Sequence, residues 1–273
     1  MQNIPNMIYG TAWKKEITSD FVFEAIKYGF KAIDTACQPK HYREDLVGIG
    51  LQKAYEKLDL KREDLFLQTK FTPIDGQDKA NMPYLETDTL DVQVEKSFET
   101  SKKNLKTNFI DSYILHSPIY PAKNLLTVWQ KMEEFVQKKE VGILGISNCY
   151  DLDVLKYLYN NTKIKPSIVQ NRFYAQAFYD KKIRTFCLEN EIFYQSFWSL
   201  TANPHIVNSE LVLKKKKKYE KTPEQVFYRF LNHINIIPLN GTTSIIHMVE
   251  DLKICEFSLL DEEIREIENL LYQ

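Results

Sequence analysis

The chain has 273 residues, of which 44% are hydrophobic and 27% charged, a balance typical of a soluble globular protein with a sizeable core. The formal net charge of −1 provides no general attraction to nucleic acid or to a membrane surface, so we expect neither as a partner. No apolar run approaches the length needed to span a bilayer, and the lysine run at 214–218 is expected to form a solvated helix face.

The four cysteines are Cys37, Cys149, Cys187 and Cys255, and they are scattered without the spacing of a metal site or a disulfide framework. This pattern predicts reduced thiols in a cytoplasmic protein, with Cys149 and Cys187 as packing residues and no bound metal. The first ten residues are polar and contain Pro5, which is unlike a signal peptide.

Strand and helix patterns alternate along the whole chain. Strands are predicted over 7–12, 31–36, 65–71, 109–115, 141–146, 167–169, 192–197 and 234–238. Helices are predicted over 20–28, 44–57, 92–105, 125–138, 152–159, 181–190 and 222–233, from about residue 245, and over 261–271. Thr18 or Ser19 is expected to cap the first helix and Gly29 to end it.

This alternation predicts a parallel sheet. Eight strand–helix units in a chain of this length are typical of a closed (β/α)₈ barrel, here a single domain over residues 1–273. The alternative is an open doubly wound sheet. The first strand is not followed by a G-x-G-x-x-G loop, and glycine is scarce throughout, which argues against that alternative.

In a barrel, the carboxyl ends of the strands converge on one mouth, where barrel enzymes keep their active sites. The predicted strands of this chain end in polar or ionisable residues. They are Gly10-Thr11, Asp34, Lys70, His116, Ser147-Asn148, Gln170, Phe197 and Asn240.

Each of these residues also has an ordinary structural interpretation. Asp34 could cap the turn that follows it, and Tyr42 could be a half-buried loop aromatic. Lys70 could lie on the surface at a strand end, and His116 could be a core histidine with satisfied hydrogen bonds. Their occurrence together at neighbouring strand ends favours a functional site.

The chemistry of such a site follows from the residue types. A tyrosine titrates near 10 and is a poor acid at neutral pH, but a nearby ammonium stabilises its phenolate. A carboxylate can hold the ammonium in place, and a histidine can donate a hydrogen bond to a developing oxyanion. Asp34, Tyr42, Lys70 and His116 could therefore deliver a proton to a carbonyl oxygen.

The segments AIDTA…HYREDLVG, LFLQTKF, FIDSYILHSP, VGILGISN, PSIVQNRFYAQ and KTPEQVFYRFL, in this order and spacing, resemble the aldo-keto reductase family. The resemblance covers nearly the whole chain, from Gly10 to the last helix. It implies a (β/α)₈ barrel that transfers hydride reversibly between a nicotinamide cofactor and a carbonyl or alcohol.

The resemblance also implies a role for each catalytic residue. Tyr42 is expected to donate the proton, Lys70 to lower the pKa of Tyr42, and Asp34 to pair with Lys70. His116 is expected to orient the substrate carbonyl, and Trp13 to line the substrate site together with Tyr42 and His116.

For the cofactor, the resemblance assigns Ser147, Asn148 and Gln170 to the nicotinamide carboxamide and Phe197 to the face of the ring. The other residues expected to contact the cofactor are Gly10, Thr11, Asp34, Trp198, Leu200, Asn240, Gly241, Thr242, Thr243, Ser244 and His247.

Two departures from the family pattern affect these assignments. The commonest pattern places the tyrosine five residues after the aspartate, where this chain has Pro39, so we match Tyr42 through the helix start that follows it; Tyr55 lies deep in a helix and is a poor alternative. Leu239, Asn240 and His247 stand where the family has a lysine and an arginine for the 2′-phosphate of NADP.

The segment Thr242–Ser244 can still offer backbone N–H groups to phosphate. We therefore expect NADPH as the cofactor, with NADH as the alternative.

These expectations combine into an NAD(P)H-dependent enzyme that reduces aldehydes or ketones, with a small carbonyl compound as its partner and a monomeric state. The alternative function is a non-catalytic barrel that binds a dinucleotide as a redox sensor or accessory subunit. The presence of all four residues Asp34, Tyr42, Lys70 and His116 argues against that alternative.

Overall fold

A computed structural model describes residues 4–273 of the chain. Eight parallel strands pair with their neighbours in chain order, and the last closes on the first. The strands are β1 (Ile8–Gly10), β2 (Ala32–Asp34), β3 (Phe66–Phe71), β4 (Ile110–Leu115), β5 (Val141–Ser147), β6 (Ile168–Arg172), β7 (Phe193–Phe197) and β8 (Ile236–Asn240). The closed barrel confirms the predicted (β/α)₈ fold and rules out the open sheet.

Helices surround the barrel. They are α1 (Thr18–Tyr28), α2 (Glu44–Leu58), α3 (Leu90–Leu105), α4 (Ala122–Gln137), α5 (Leu152–Asn161), α6 (Lys181–Glu189), α7 (Pro204–Val207), α8 (Glu210–Tyr219), α9 (Pro223–His233), α10 (Ile245–Asp251) and α11 (Asp261–Leu270). No helix in this part of the chain is both long and apolar enough to cross a membrane.

The boundaries differ from the prediction in a few places. Gly29 ends α1 as expected, with φ at 121°, but α1 follows directly from a 3₁₀ turn, and the Thr18 hydroxyl donates to the Lys15 carbonyl rather than capping the helix. Strand β6 continues to Arg172, three residues beyond the predicted end. The lysine run lies on α8, and Lys215 departs from the predicted solvated face because it is buried against Glu266.

The barrel interior changes character along its axis. Apolar side chains from neighbouring strands fill its lower part, among them Ala32, Phe66, Ile168 and Phe193. Two residues further along the same strands, on the same face, stand Asp34, Gln68, Gln170 and Gln195. The layer nearest the carboxyl ends of these strands is therefore polar.

Helix α2 fixes the loop that carries Tyr42. A Cβ added at Gly48 would lie 1.9 Å from the Asn104 carbonyl oxygen, so only glycine lets α2 approach α3 this closely. At the first position of α2, the buried Glu44 accepts hydrogen bonds from Thr69 on β3 (2.5 Å) and from Asn104 (3.1 Å). These contacts hold the start of α2 against the barrel.

The seam between β1 and β8 is reinforced above the strands. The Tyr9 hydroxyl donates to the Thr242 carbonyl (2.9 Å), and the Lys14 ammonium donates to the Gly241 carbonyl (2.6 Å). Burial lowers the pKa of Lys14 to about 8. The first and last parts of the barrel are thus joined at its mouth.

Candidate active site

Asp34 is the centre of a hydrogen-bonded network inside the barrel. Its Oδ1 accepts from the side-chain amides of Gln68 (2.6 Å) and Gln170 (3.0 Å). Both amides also donate to Gln195, at 2.8 and 2.9 Å. Because each of these residues is buried, the network fixes the carboxylate in one orientation.

Lys70 contacts both oxygens of Asp34. Its ammonium lies 2.7 and 2.6 Å from them and donates to the Thr35 carbonyl at 2.8 Å. Burial lowers the pKa of Lys70, and the charge of Asp34 opposes that effect. The predicted pairing of Asp34 with Lys70 is present, and the lysine is buried rather than on the surface.

Tyr42 lies over this ion pair. The Lys70 ammonium is 5.4 Å from the centre of the Tyr42 ring, and the ring of His116 is 6.0 Å away. Within residues 4–273 the Tyr42 hydroxyl makes no hydrogen bond, which leaves it available to a bound molecule.

The pKa of Tyr42 is raised rather than lowered. Burial is the main cause, and the negative charge of Asp34 adds to it. Lys70 does not reverse this shift, because its charge is largely neutralised by the two oxygens of Asp34. The net shift of the Tyr42 pKa is thus upward in this state, whereas the separate effect of Lys70 on that pKa stays a prediction, and Tyr42 keeps its proton throughout the neutral range.

His116 follows the end of β4, with its Nδ1 2.6 Å from the Thr72 hydroxyl. Burial is the main reason that the pKa of His116 lies well below its ordinary value, and the charge of Lys70 adds to the effect, so the ring is neutral. Among the described residues the Thr72 hydroxyl has no other acceptor for its proton, so a hydrogen bond donated to Nδ1 satisfies both groups. The remaining ring nitrogen, Nε2, then carries the proton and can donate to a ligand.

Trp13 and His41 form the outer wall beside these residues. Their rings stack with centres 3.8 Å apart, and the Trp13 backbone N–H donates to the His41 carbonyl (2.7 Å). Trp13 is largely exposed, at 61%, and lines the same cavity as Tyr42 and His116. The structure thus brings together the three residues predicted for the substrate.

One cavity of about 770 Å³ runs from this wall to the segment after β8. The predicted site residues in its lining are Gly10, Trp13, Asp34, Tyr42, His116, Ser147, Asn148, Gln170, Phe197, Trp198, Leu200, Asn240, Gly241, Thr242 and His247. Its lining comes from loops and strand ends around the barrel mouth, and its volume suits a large ligand such as a dinucleotide.

The middle of the cavity has groups suited to a nicotinamide carboxamide. Ser147, Asn148 and Gln170 lie at the ends of β5 and β6, and Phe197 ends β7 beside them. Gln170 uses its amide nitrogen for Asp34 and Gln195, so its amide oxygen is the atom that can accept from the carboxamide. The residues present therefore fit the cofactor.

Three residues predicted to contact the cofactor lie outside the cavity lining. Thr11 is fully buried, and its hydroxyl donates to the Asp34 carbonyl (2.9 Å), so it joins β1 to β2. Thr243 and Ser244 stand beyond the lining. The Thr242 backbone N–H donates to the Asn240 side chain (2.7 Å) and the Ser244 backbone N–H to the Thr242 hydroxyl (3.0 Å), so two of the donors expected for phosphate are already engaged.

The cavity wall near the end of β8 contains acidic residues that were not predicted. Glu224, Glu250 and Asp251 line it, and Asp251 accepts a hydrogen bond from Asn240. Burial raises the pKa of Asp251 to about 7, and the charges of Glu224 and Glu250 contribute to the shift. Among residues 4–273 the cavity lining contains no lysine, so a phosphate near these three acidic side chains would meet more negative than positive charge.

Other contributors were also missed. Gln68 and Gln195 lie inside the barrel, and their alternation with buried apolar residues was a usable signal. Thr72 and Arg172 gave no signal, because their importance depends on contacts with residues distant in sequence.

Comparison with known proteins agrees with this geometry. The model of the Aldo/keto reductase family matches residues 6–271. The 9,11-endoperoxide prostaglandin H2 reductase of Trypanosoma cruzi is 27% identical, over 93% of this chain and 82% of its own length. The glyoxal reductase of Bacillus subtilis is 24% identical, over 92% of this chain and 83% of its own length.

Solved structures share the fold. An aldo-keto reductase from a deep-sea metagenome library superimposes with a TM-score of 0.84 at 24% identity, covering 98% of this chain and 92% of that one. A Bombyx mori aldo-keto reductase in complex with NADP gives 0.82 at 23% identity, covering 98% and 89%. The family match extends over nearly every residue, and the chain therefore belongs to the aldo/keto reductase family, whose members reduce carbonyl groups with NADPH.

Proposed function

We propose that this protein reduces aldehyde or ketone carbonyls to alcohols with NADPH, and that Tyr42 supplies the proton. The observation that carries the proposal is that Asp34, Tyr42 and His116 line one cavity, with Lys70 paired to Asp34 and facing the Tyr42 ring. This arrangement does not favour a non-catalytic barrel, because dinucleotide binding by itself has no need for a proton donor.

When bound, the nicotinamide supplies a hydride to the carbonyl carbon. The chain's own residues act on the oxygen. The neutral His116 donates from Nε2 to the carbonyl oxygen and holds it near Tyr42, whose free hydroxyl then gives up its proton.

Lys70 and Asp34 have an electrostatic role in this scheme. The Lys70 ammonium faces the Tyr42 ring and stabilises the phenolate only as that charge forms. Asp34 prevents the buried ammonium from losing its proton. The resting Tyr42 keeps its proton, and the upward shift of its pKa is a cost that stabilisation of the forming phenolate has to offset.

The test is to follow NADPH absorbance with a panel of aldehydes and ketones, using wild type and Tyr42→Phe. The phenylalanine variant should lose about 10²–10⁴-fold in kcat, a typical contribution of general acid catalysis. It should keep its affinity for NADPH, measured by fluorescence quenching. Near-normal turnover by a folded Tyr42→Phe would refute the assignment of the proton donor.

The control is Tyr55→Phe. Tyr55 lies on α2 outside the cavity lining, so its loss should leave the reaction unchanged. The substrate proposal also includes Trp13, whose exposed ring lines the cavity beside Tyr42. Trp13→Ala should raise KM more than it lowers kcat.

We also propose that the protein works as a single-domain monomer in the cytoplasm. A closed barrel over most of the chain and four free cysteines support this proposal. Sedimentation analysis would contradict the monomer if it gave a mass near twice 32.2 kDa.

A further inference from the structure

Arg172 is a guanidinium without an acidic partner in the wall of the cavity. It ends β6 and is half-buried. Within residues 4–273 its side chain makes no ion pair and no hydrogen bond, and its Nε is buried without a partner. A buried donor on a permanent cation is costly unless something accepts from it.

Aromatic rings hold Arg172 in place. Its guanidinium carbon lies 4.1 Å from the centre of the Trp198 ring and 5.3 Å from that of Tyr174. The Tyr150 hydroxyl accepts from the Arg172 backbone N–H (3.0 Å). A guanidinium that contacts aromatic rings keeps its N–H edges available to an acceptor, and those edges match two oxygens of a carboxylate or phosphate.

The strand register places Arg172 close to the reacting end of the cavity. It stands two residues after Gln170, on the same face of β6, and pairs with Phe197 on β7. Gln170 and Phe197 are the residues assigned to the nicotinamide. Arg172 therefore stands beside the residues assigned to the nicotinamide, and β7 separates its strand from β8, whose last residue Asn240 bonds Asp251.

The other charged residues around the cavity make Arg172 important for binding an anion. In the described part of the chain, Arg172 is the only lysine or arginine in the lining. Lys70 is paired with Asp34, and Glu224, Glu250 and Asp251 in the same lining are acidic and do not attract anions. An anionic group entering the cavity would find its strongest attraction at Arg172.

We propose that Arg172 binds an acid group, a carboxylate or phosphate, beside the reacting carbonyl. The inference rests on the proposed carbonyl reduction, and it gives that reaction a substrate class: aldehydes or ketones that carry an acid group a few carbons from the carbonyl. The other source of the same chemistry is the diphosphate of the cofactor, and the experiment separates the two sources.

The experiment compares succinic semialdehyde with butanal, a neutral aldehyde of equal chain length, in wild type, Arg172→Gln and Arg172→Lys. The measured quantity is the ratio of the two kcat/KM values. We expect the ratio to favour the acid in wild type and to fall about 10- to 100-fold in Arg172→Gln, as for loss of a charged hydrogen bond. Arg172→Lys should lower the ratio less than Arg172→Gln does, because lysine keeps the positive charge but lacks the bidentate donor geometry of arginine.

The Kd of NADPH, measured by fluorescence quenching, is the second readout. A lower substrate ratio with unchanged Kd shows that the acid group belongs to the substrate. A tenfold weaker Kd with a constant ratio shows that it is the cofactor's diphosphate. If Arg172→Gln changes neither quantity, the proposal is wrong.

Two controls complete the design. Arg265→Gln removes the same charge from an exposed position on α11, outside the cavity, and should change neither readout. Thermal unfolding shows whether each variant is folded. If wild type reduces neither aldehyde, nor any other carbonyl in the panel, the proposed function itself fails, whereas reduction of both aldehydes without an Arg172 effect overturns only this inference.

Discussion

Asp251 should make the protein less stable as the pH rises towards 7. The group is 4% exposed, and its pKa is raised from the ordinary value of 3.8 to about 7, mainly by burial. The folded state therefore binds a proton that the unfolded state releases between these two pH values. By linkage, stability is greatest below about pH 4 and falls until the pH reaches the folded pKa of about 7.

The magnitude follows from the same shift. The difference of 7 − 3.8 is about 3 pH units, which corresponds to about 4 kcal/mol at 1.36 kcal/mol per unit. Between pH 5.5 and 8 the stability changes only over the 1.5 pH units from 5.5 to the folded pKa of about 7, which corresponds to about 2 kcal/mol. Asp251→Asn removes this dependence but keeps an oxygen that can accept from Asn240.

The assay is urea unfolding of wild type and Asp251→Asn at pH 5.5 and pH 8. The variant should gain about 2 kcal/mol relative to wild type between the two pH values. Asp59→Asn is the control, because Asp59 is exposed after α2 in a left-handed conformation that asparagine also adopts. An equal stability difference at both pH values would refute the linkage argument.

The remaining predictions concern the site. Lys70→Met should move the pH–rate profile of alcohol oxidation to higher pH, because the Tyr42 phenolate loses a neighbouring positive charge. It should also cost about 3–5 kcal/mol in stability, since it leaves Asp34 buried and unpaired; an unchanged pH–rate profile in a folded variant would remove Lys70 from the mechanism. Thr72→Val removes the hydrogen bond that keeps the proton of His116 on Nε2, and it should lower kcat about tenfold; Thr72→Ser keeps a hydroxyl and should preserve kcat. Equal kcat in the valine and serine variants would contradict this role. The preference for NADPH over NADH should be small and should increase from pH 8 to pH 6, as Asp251 loses charge; a large, pH-independent ratio of Kd values that survives His247→Ala would show that another residue binds the phosphate.

The sequence was sufficient to predict the fold because strand and helix periodicity repeats eight times. Most boundaries agree within a few residues, and the strand ends carry Asp34, Lys70 and His116 into one site as expected. Because the carboxyl ends of parallel strands lie at the same face of a barrel, the order of the strands was enough to predict that these residues are neighbours.

The rest depended on features that no local pattern contains. The upward shift of the Tyr42 pKa comes mainly from burial, with the charge of Asp34 adding to it, and burial depends on contacts that form only in the folded chain. Thr11 was assigned to the cofactor from its position in a motif, whereas its hydroxyl bonds the neighbouring strand. Arg172 lay beyond the predicted end of β6, so nothing in the sequence marked it as facing the cavity.

The reinforced seam has a consequence for how the enzyme holds its ligand. Lys14 and Tyr9 join the beginning of the barrel to Gly241 and Thr242 near its end, and the cavity wall includes Gly10 and Gly241 from the two sides. A molecule bound along this wall would contact elements that are separated by more than 200 residues, and it would have to leave before the barrel could open there. Ligand occupancy should therefore slow unfolding and proteolysis at both ends of the chain at once, although neither end belongs to the reaction centre.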